Sequence, residues 1–320
     1  MNKLRYSEMF YSLQGEGRYV GVPSLFLRLF GCNFECRGFG QDRDKSKWIP
    51  HEEMPHTQDY PDVKKLEDLP VPHVGCDSSF SWGKKWGHLA SYDDIDTLVK
   101  KMEVFELMGW YGDKEYHSSP TAYQLSRSLL QKDGVHLVIT GGEPLLKGFQ
   151  PALRELLYHP DVLTQFVTFE TNGTQIFPYK TNYDFEPSFP LVEVEHIRKF
   201  GINKNSGITW SVSPKLSNSG EKWEDAIIPD ALLSYNSWPM SFLYLKFVVR
   251  DEDDLTEVKE AIMMYRDAGV KIDAVYLMPE TGPHGREPMC DYEVSQLALK
   301  YGYKYSPRLQ INLFGNAWGT

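Results

Sequence analysis

The chain has 320 residues, a hydrophobic fraction of 41% and a formal net charge of −10. This apolar content is enough for a sizeable core, whereas the acidic balance argues against a general nucleic-acid binder, because such proteins neutralise phosphates with Lys and Arg. Four cysteines are too few for a disulfide scaffold, so roles as metal or redox ligands are favoured.

Six apolar segments of strand length recur along the chain, and each ends at turn residues. They are residues 24–30, 135–140, 166–170, 208–212, 243–249 and 274–278. Near-continuous apolar runs of this kind are typical of strands that are buried on both faces.

Helical patterns, with apolar residues three and four positions apart, alternate with these segments. They cover residues 92–104, 122–131, 151–157, 191–200 and 254–268. We expect Asp253 to cap the last of these helices and Gly269 to end it.

This alternation predicts an α/β fold with a parallel sheet, in which about six strand–helix units close into a partial (β/α) barrel. Residues 1–320 are interpreted as a single domain. Residues 37–75 are polar and weakly periodic, and we interpret them as an inserted loop. The polar turns fall at the carboxyl ends of strands, where parallel-sheet enzymes build their active sites.

Three cysteines, Cys32, Cys36 and Cys76, flank the inserted loop. A structural tetrahedral metal site would have four ligands, and an iron–sulfur cluster on three cysteines would leave one iron without a protein ligand. The alternatives are ordinary buried thiols or a structural zinc site. A zinc site would be completed by one of three histidines: His51, His56 or His73.

The motifs around these cysteines form an ordered set. The segments are MFYSLQGEG (9–17), GVP (21–23), FLR (26–28), GCN (31–33), CDSSFSW (76–82), TGGEP (140–144), ETNGT (170–174), SPK (213–215) and PRLQ (307–310). Together they resemble 7-carboxy-7-deazaguanine synthase, the QueE family of radical S-adenosylmethionine (SAM) enzymes.

The resemblance implies a 4Fe–4S cluster on Cys32, Cys36 and Cys76, with SAM on the fourth iron. One electron would cleave SAM, and the resulting 5′-deoxyadenosyl radical would abstract a hydrogen from 6-carboxytetrahydropterin. Ring contraction and loss of ammonia would give 7-carboxy-7-deazaguanine. The resemblance also implies a homodimer and a Mg²⁺ ion near Ser78, which stands where the family has threonine.

SAM binding is implied for residues at the ends of several strands. They are Gly75, Asp77, Gly142, Glu143, Thr171, Asn172, Ser213, Pro214 and Lys215. Glycine at 141 and 142 would let a ligand approach the backbone, and Glu143 could accept a hydrogen bond from an ammonium such as that of SAM. The ordinary alternative for the Ser, Thr and Asn residues is turn capping.

Pterin binding is implied for a second set: Leu13, Gln14, Gly15, Glu16, Arg28, Thr140, Gln310 and Thr320. Arg28 interrupts an apolar strand, so either a substrate carboxylate or an ion pair with Glu16 or another acid must satisfy it. Gln310 stands where the family has a histidine, and an amide does not titrate near neutral pH.

The spacing of the cysteines departs from the family, which keeps the second and third close together. Either the inserted loop is closed at its base or Cys76 is not a ligand, and closure of a long loop is tolerable because its cost grows slowly with length. Cys290 fits no motif, and we interpret it as structural.

Basic residues in the loop, together with Lys84 and Lys85, predict a docking surface for an acidic electron donor such as flavodoxin. No apolar leader or long apolar run is present, so we expect a cytoplasmic protein. The rival functions are another radical SAM enzyme, which activates or modifies a protein or peptide, and a zinc-stabilised binding protein.

Overall fold

The computed structural model describes residues 2–102, 136–159, 166–179, 207–280, 288–315 and 317–319. Nine strands are found in these ranges. They are β1 (Lys3–Leu13), β2 (Pro23–Leu29), β3 (Ser91–Asp94), β4 (His136–Gly141), β5 (Phe166–Thr171), β6 (Ile208–Val212), β7 (Phe242–Val249), β8 (Ala274–Pro279) and β9 (Lys304–Tyr305).

All nine strands belong to one sheet in the order β3-β1-β2-β4-β5-β6-β7-β8-β9. From β2 to β9 the neighbours are parallel, whereas β1 is antiparallel to both β2 and β3. The six predicted segments correspond to β2 and β4 to β8. The predicted α/β class with a largely parallel sheet is therefore confirmed.

Helices connect many of the strands. One helix, α1, begins at residue 95 and is described up to residue 102. The others are α2 (Gln150–Leu157), α3 (Trp223–Ala226), α4 (Pro229–Asn236), α5 (Leu255–Asp267), α6 (Pro288–Tyr301) and α7 (Leu309–Phe314). The helices predicted over residues 122–131 and 191–200 lie outside the described residues. No helix in the described ranges is both long and apolar enough to cross a membrane.

Two predicted helix starts were wrong. Residues 92–94 belong to β3, because their backbone pairs with the start of β1 and Tyr92 lies opposite Arg5. The N-cap position of α5 is Asp254 rather than Asp253. Its side chain makes no capping hydrogen bond with the helix, and its carboxylate accepts the backbone N–H of Arg250 at 2.8 Å. Gly269 follows the end of α5 as predicted, with a φ of +90° that favours glycine.

One face of the sheet packs into the core and the other lines a cavity. Successive side chains of a strand point to these opposite faces in turn. On one face Leu27, Ile139 and Phe169 pack into the main core with the helices. On the other face their neighbours Arg28, Thr140 and Glu170 line a cavity. The parity of a residue within its strand thus decides whether it stabilises the fold or faces the cavity.

The inserted segment, residues 37–75, is closed at its base. The backbone N–H of Gly75 donates to the carbonyl of Phe39 at 2.7 Å, which brings the chain back beside its starting point. Where the sequence predicted an irregular loop, the segment contains four short 3₁₀ helices: Lys45–Lys47, His51–Glu53, Pro55–Thr57 and Leu66–Asp68. Cys76 is therefore remote from Cys36 in the sequence but not in space.

Candidate active site

A cavity of about 240 Å³ lies against the second face of the sheet. It is far larger than a water site, and residues from β1, β2, β4 to β8, the inserted segment and α7 line it. With three exceptions, every site residue predicted from the sequence lines this cavity. Glu143 and Pro214 do not line it, and Thr320 lies outside the described residues.

The three cysteines Cys32, Cys36 and Cys76 meet at this cavity. The loop after β2 carries the first two, and the carboxylate of Glu221 holds that loop by accepting the backbone N–H of Cys36 at 2.7 Å and that of Glu35 at 2.9 Å. The closed base of the inserted segment brings Cys76 to the same place. All three are free thiols.

Burial governs the protonation of these thiols. It raises the pKa of Cys32 to about 12 and also raises the pKa values of Cys36 and Cys76, while the ammonium of Lys215 acts in the opposite direction. Buried thiols with a single lysine nearby are poor anions by themselves. A bound cationic group would stabilise them as thiolates.

The cysteine set fits a cluster better than a single zinc ion. Within the described residues, no three His, Cys, Asp or Glu side chains lie close enough together to hold one metal ion. The three candidate histidines do not line the cavity: His51 pairs with Glu35 at 3.5 Å, His56 packs on the Trp82 ring at 4.6 Å and His73 is exposed. In a 4Fe–4S cluster each cysteine binds a different iron, so the sulfur atoms lie farther apart than around a single zinc ion.

Glu143 ties the ends of β4 and β5 together instead of facing the cavity. Its carboxylate accepts the hydroxyl of Thr171 at 2.8 Å and the backbone N–H of Asn172 at 2.7 Å. Burial raises the pKa of Glu143 to about 7, although these hydrogen bonds oppose the shift. The structure therefore gives Glu143 a positioning role, and its contact with an ammonium ligand stays a prediction.

Glu16 is the centre of a buried charge network. Its carboxylate pairs with Lys246 and with Arg308, the latter at 3.3 Å, and accepts a hydrogen bond from Gln310 Nε2 at 2.7 Å. Burial opposes ionisation of Glu16, but the two cations outweigh it and lower its pKa to about 2. Glu16 is thus an anion that can accept hydrogen bonds from a ligand.

Glu170 forms a second acidic point in the cavity. It accepts the amide of Gln14 at 3.0 Å and the hydroxyl of Thr140 at 2.9 Å. The Oε1 atom of the Gln14 side chain accepts the backbone N–H of Glu16 at 3.0 Å. The turn after β1 therefore shares one hydrogen-bond network with β4 and β5.

Arg28 pairs with Glu8 at 2.7 Å through Nε and donates to the Ser78 hydroxyl at 3.1 Å through Nη1. The predicted ion-pair partner was Glu16 or another acid, and it is the neighbouring-strand residue Glu8. Ser78 also donates to Asp77 at 3.2 Å, and Asp77 in turn pairs with Arg308.

Sequence reasoning missed five charged residues of the cavity: Glu8, Glu170, Lys246, Glu280 and Arg308. Lys246 carried a usable signal, since it interrupts the apolar run of β7 as Arg28 interrupts that of β2. Glu8 gave no such signal, because β1 mixes polar and apolar residues throughout.

The chain is similar in sequence to known proteins over nearly its whole length. The chain is 26% identical to the 7-carboxy-7-deazaguanine synthase of Halobacterium salinarum, over 98% of this chain and 91% of the relative. It is also 26% identical to the enzyme of that name from Pyrobaculum aerophilum, over 99% of this chain and 97% of the relative.

The crystal structure of QueE from Escherichia coli aligns with a TM-score of 0.45 at 18% identity, covering 96% of this chain and 94% of that one. No family model matches the chain. The likeness to relatives of one name extends over nearly the whole sequence. The chain is an enzyme, and its resemblance to the 7-carboxy-7-deazaguanine synthases is confirmed.

Proposed function

We propose that this enzyme converts 6-carboxytetrahydropterin to 7-carboxy-7-deazaguanine, with release of ammonia, by radical SAM chemistry. The observation that carries the proposal is one cavity that brings together two sets of residues. Its lining includes the three cysteines Cys32, Cys36 and Cys76 and the polar residues that resemble the family's pterin-binding set.

The three cysteines would hold a 4Fe–4S cluster, and the ends of β4 to β6 would hold SAM. The cavity is lined there by residues at or just after the ends of these strands: Gly142, Thr171, Asn172, Ser213 and Lys215. When bound, the cluster and SAM would supply an electron and a carbon radical that abstracts hydrogen. The Lys215 ammonium, which donates to the Ser213 hydroxyl at 3.1 Å, suits a ligand carboxylate.

The polar residues that resemble the family's pterin-binding set would bind the substrate. A pterin presents an amino group and a ring N–H side by side, and the anionic Glu16 can accept both. Leu13, Gly15, Thr140 and Gln310 complete this wall of the cavity. Gln310 fixes the Glu16 carboxylate by donating to it at 2.7 Å, a function that does not require the family's histidine.

The substrate carboxylate would lie near Arg28, the cation that already donates to Ser78 at 3.1 Å. Ser78 and Asp77 present oxygen atoms beside it, and oxygen is the ligand that Mg²⁺ prefers. Ser78 would hold a Mg²⁺ ion at this point, and the ion would supply positive charge for the substrate carboxylate. Thr320 is proposed as a further substrate contact by resemblance alone.

At the level of the fold, we propose that the sheet is the partial (β/α) barrel of radical SAM enzymes, formed by a single domain with residues 37–75 as an insertion. Cavity-facing residues come from seven neighbouring strands, β1, β2 and β4 to β8, which fits a sheet that curves around its ligand. We further propose a homodimer, again by resemblance.

The test is incubation of the reconstituted, anaerobic enzyme with SAM, a reductant, Mg²⁺ and 6-carboxytetrahydropterin. We expect both 5′-deoxyadenosine and 7-carboxy-7-deazaguanine, and neither from the Cys76→Ala variant. 5′-Deoxyadenosine without the deazaguanine would indicate a radical SAM enzyme with another substrate. A colourless protein with one bound zinc would support the binding-protein alternative.

The proposed electron donor is an acidic protein that docks near Lys84 and Lys85. Lys85 is engaged by Asp59 and by the carbonyl of Thr57 at 3.1 Å, whereas the side chain of Lys84 is exposed. Reversing both charges should slow reduction by flavodoxin far more at low salt than at high salt. Equal rates for variant and parent at low salt would remove this idea.

A further inference from the structure

The insertion (residues 37–75) is fixed to the body of the protein at several points. Near its start, the Gly38 N–H donates to the carbonyl of Ser219 at 2.8 Å, and the Gly40 N–H donates to the carboxylate of Glu280 at 2.9 Å. At its end, Gly75 closes the base. The insertion is therefore a fixed part of the cavity's surroundings.

An apolar cluster lies behind the cavity, formed by Leu66, Leu69, Phe80 and Trp86; we call it the insertion cluster. Its first two members belong to the insertion, and the last two belong to the segment after Cys76. All four are at most 5% exposed, and none of them lines the cavity.

Trp318 docks on this cluster from far along the chain. Its indole ring packs edge-on against Phe80, with ring centroids 6.0 Å apart, and its indole N–H donates to the carbonyl of Leu69 at 2.9 Å. One aromatic side chain is thus held by both an apolar and a polar contact, which fixes its position and its orientation.

The segment that Trp318 anchors is part of the cavity wall. Residues 317–319 line the cavity, as do Pro72 and Val74 of the insertion. The same cavity is lined by Glu16 and Arg28. Whatever fixes residues 317–319 therefore also shapes the space in which a ligand of those two residues would lie.

We propose that the insertion is a docking cradle for residues 317–319. In this role Leu69 and Phe80 are positioning residues, which hold Trp318 and so complete the ligand-binding wall without touching the ligand. The cradle explains why an apolar cluster is built into an otherwise polar segment. The ligand is the carboxylated pterin of the proposed function, on which this part of the inference rests.

The test compares Leu69→Ala with a matched control, Leu156→Ala, in the cluster-loaded enzyme. Both leucines are buried, but Leu156 lies in α2 and packs in the main core. In Leu69→Ala we expect faster amide hydrogen exchange at residues 317–319 and a rise of about tenfold in the Kd for 6-carboxytetrahydropterin, at unchanged iron content. Leu156→Ala should change neither quantity.

A double-mutant cycle with Trp318→Ala identifies the route of the effect. If Leu69 acts through Trp318, adding Leu69→Ala to Trp318→Ala raises the Kd no further. Additive effects, or unchanged exchange at residues 317–319 in Leu69→Ala, would overturn the inference. The exchange measurement needs no substrate, so an enzyme that fails to bind the pterin would contradict the proposed function and leave the cradle to be judged by exchange.

Discussion

At the scale of single residues, the cavity is notable for charges that compensate one another. Lys246 and Arg308 flank Glu16, and Arg28 pairs with Glu8. Burying unpaired charges would cost several kcal/mol each, so these pairs must form together for the protein to fold. The same pairs leave acceptors and donors directed at the cavity, which is how stability and ligand binding depend on the same side chains.

Replacing Lys246 with methionine should expose this dependence. The variant leaves Glu16 with one cation instead of two, so the pKa of Glu16 should rise from about 2 toward its ordinary value of 4.5. We expect a loss of about 3 kcal/mol in the free energy of unfolding at pH 7, measured by denaturant titration. As a control, replacing the exposed Lys147 with methionine should change the free energy of unfolding by less than about 0.5 kcal/mol.

The pH dependence gives the sign of this effect. Because the folded-state pKa of Glu16 is below its ordinary value, its ionisation stabilises the fold above about pH 4.5, and the contribution is lost as the pH falls toward 2. The double variant Lys246→Met with Glu16→Gln should recover part of the stability. A double variant no more stable than Lys246→Met would contradict the pairing.

Sequence reasoning at this scale succeeded where an unusual residue stood out against its surroundings. Arg28 was recognised because it interrupts an apolar strand, and it does line the cavity. Its partner could not be predicted, because pairing with Glu8 depends on the register of β1 against β2, in which these two residues are opposite. The hydrogen bonds of Glu143 with Thr171 and Asn172 could not be predicted either, because they depend on how the ends of β4 and β5 meet, and its contact with a ligand stays a prediction.

At the scale of elements, apolar runs predicted the central strands and failed at the edges of the sheet. The strands β2 and β4 to β8 are buried on both sides and have continuous apolar patterns. In contrast, β3 and β9 lie at the two ends of the sheet, and β1 next to β3 carries polar residues along its length. Their pairing comes from tertiary structure, which local sequence patterns do not contain.

His136 joins three of the central strands at their amino ends. Its ring contacts the Ser24 hydroxyl of β2 at 2.8 Å and the Thr168 hydroxyl of β5 at 2.7 Å, and Tyr19 packs on it with ring centroids 4.7 Å apart. Burial lowers the pKa of His136 to about 3, so the ring is neutral in the folded protein at any ordinary pH.

This burial predicts acid sensitivity. The unfolded chain takes up a proton at His136 below its ordinary pKa of 6.5, whereas the folded protein does not until about pH 3. Stability from this group is thus complete above pH 6.5 and declines as the pH falls, by about 2 kcal/mol between pH 7 and pH 5. The change should be much smaller in His136→Gln, as measured by unfolding at each pH, and equal slopes for the two proteins would contradict the assignment.

At the scale of the whole molecule, the site combines parts that are remote in sequence. The order of motifs indicated which residues belong together, and nearly all of them line one cavity. The sequence left open whether Cys76 could join Cys32 and Cys36, because nothing in the composition of residues 37–75 reveals where that segment ends in space. The hydrogen bond between Gly75 and Phe39 answers this question.

The cysteine assignment predicts that the cluster depends on Cys76 and does not depend on Cys290. Cys76→Ala should bring the iron and sulfide content of anaerobically reconstituted protein down to background, since two thiolates cannot retain a cluster that requires three. Cys290→Ala should keep the parent's content, because Cys290 fits none of the motifs that carry the other three cysteines. Loss of iron from both variants would point to general misfolding and contradict the assignment.

Closure of the insertion can be tested separately from the thiols. Gly75 has a φ of +75°, and a Cβ placed there would meet the side chain of Met54 at 2.4 Å, so Gly75→Ala strains the closed base. Gly302 has a similar φ of +72° and nothing within 4 Å of such a Cβ, which makes Gly302→Ala the matched control. We expect Gly75→Ala to retain all three thiols yet to lose iron several-fold faster in the presence of a chelator, because displacing Cys76 opens the cluster site. Equal rates of iron loss in the two variants would mean that the cluster does not depend on how the insertion closes.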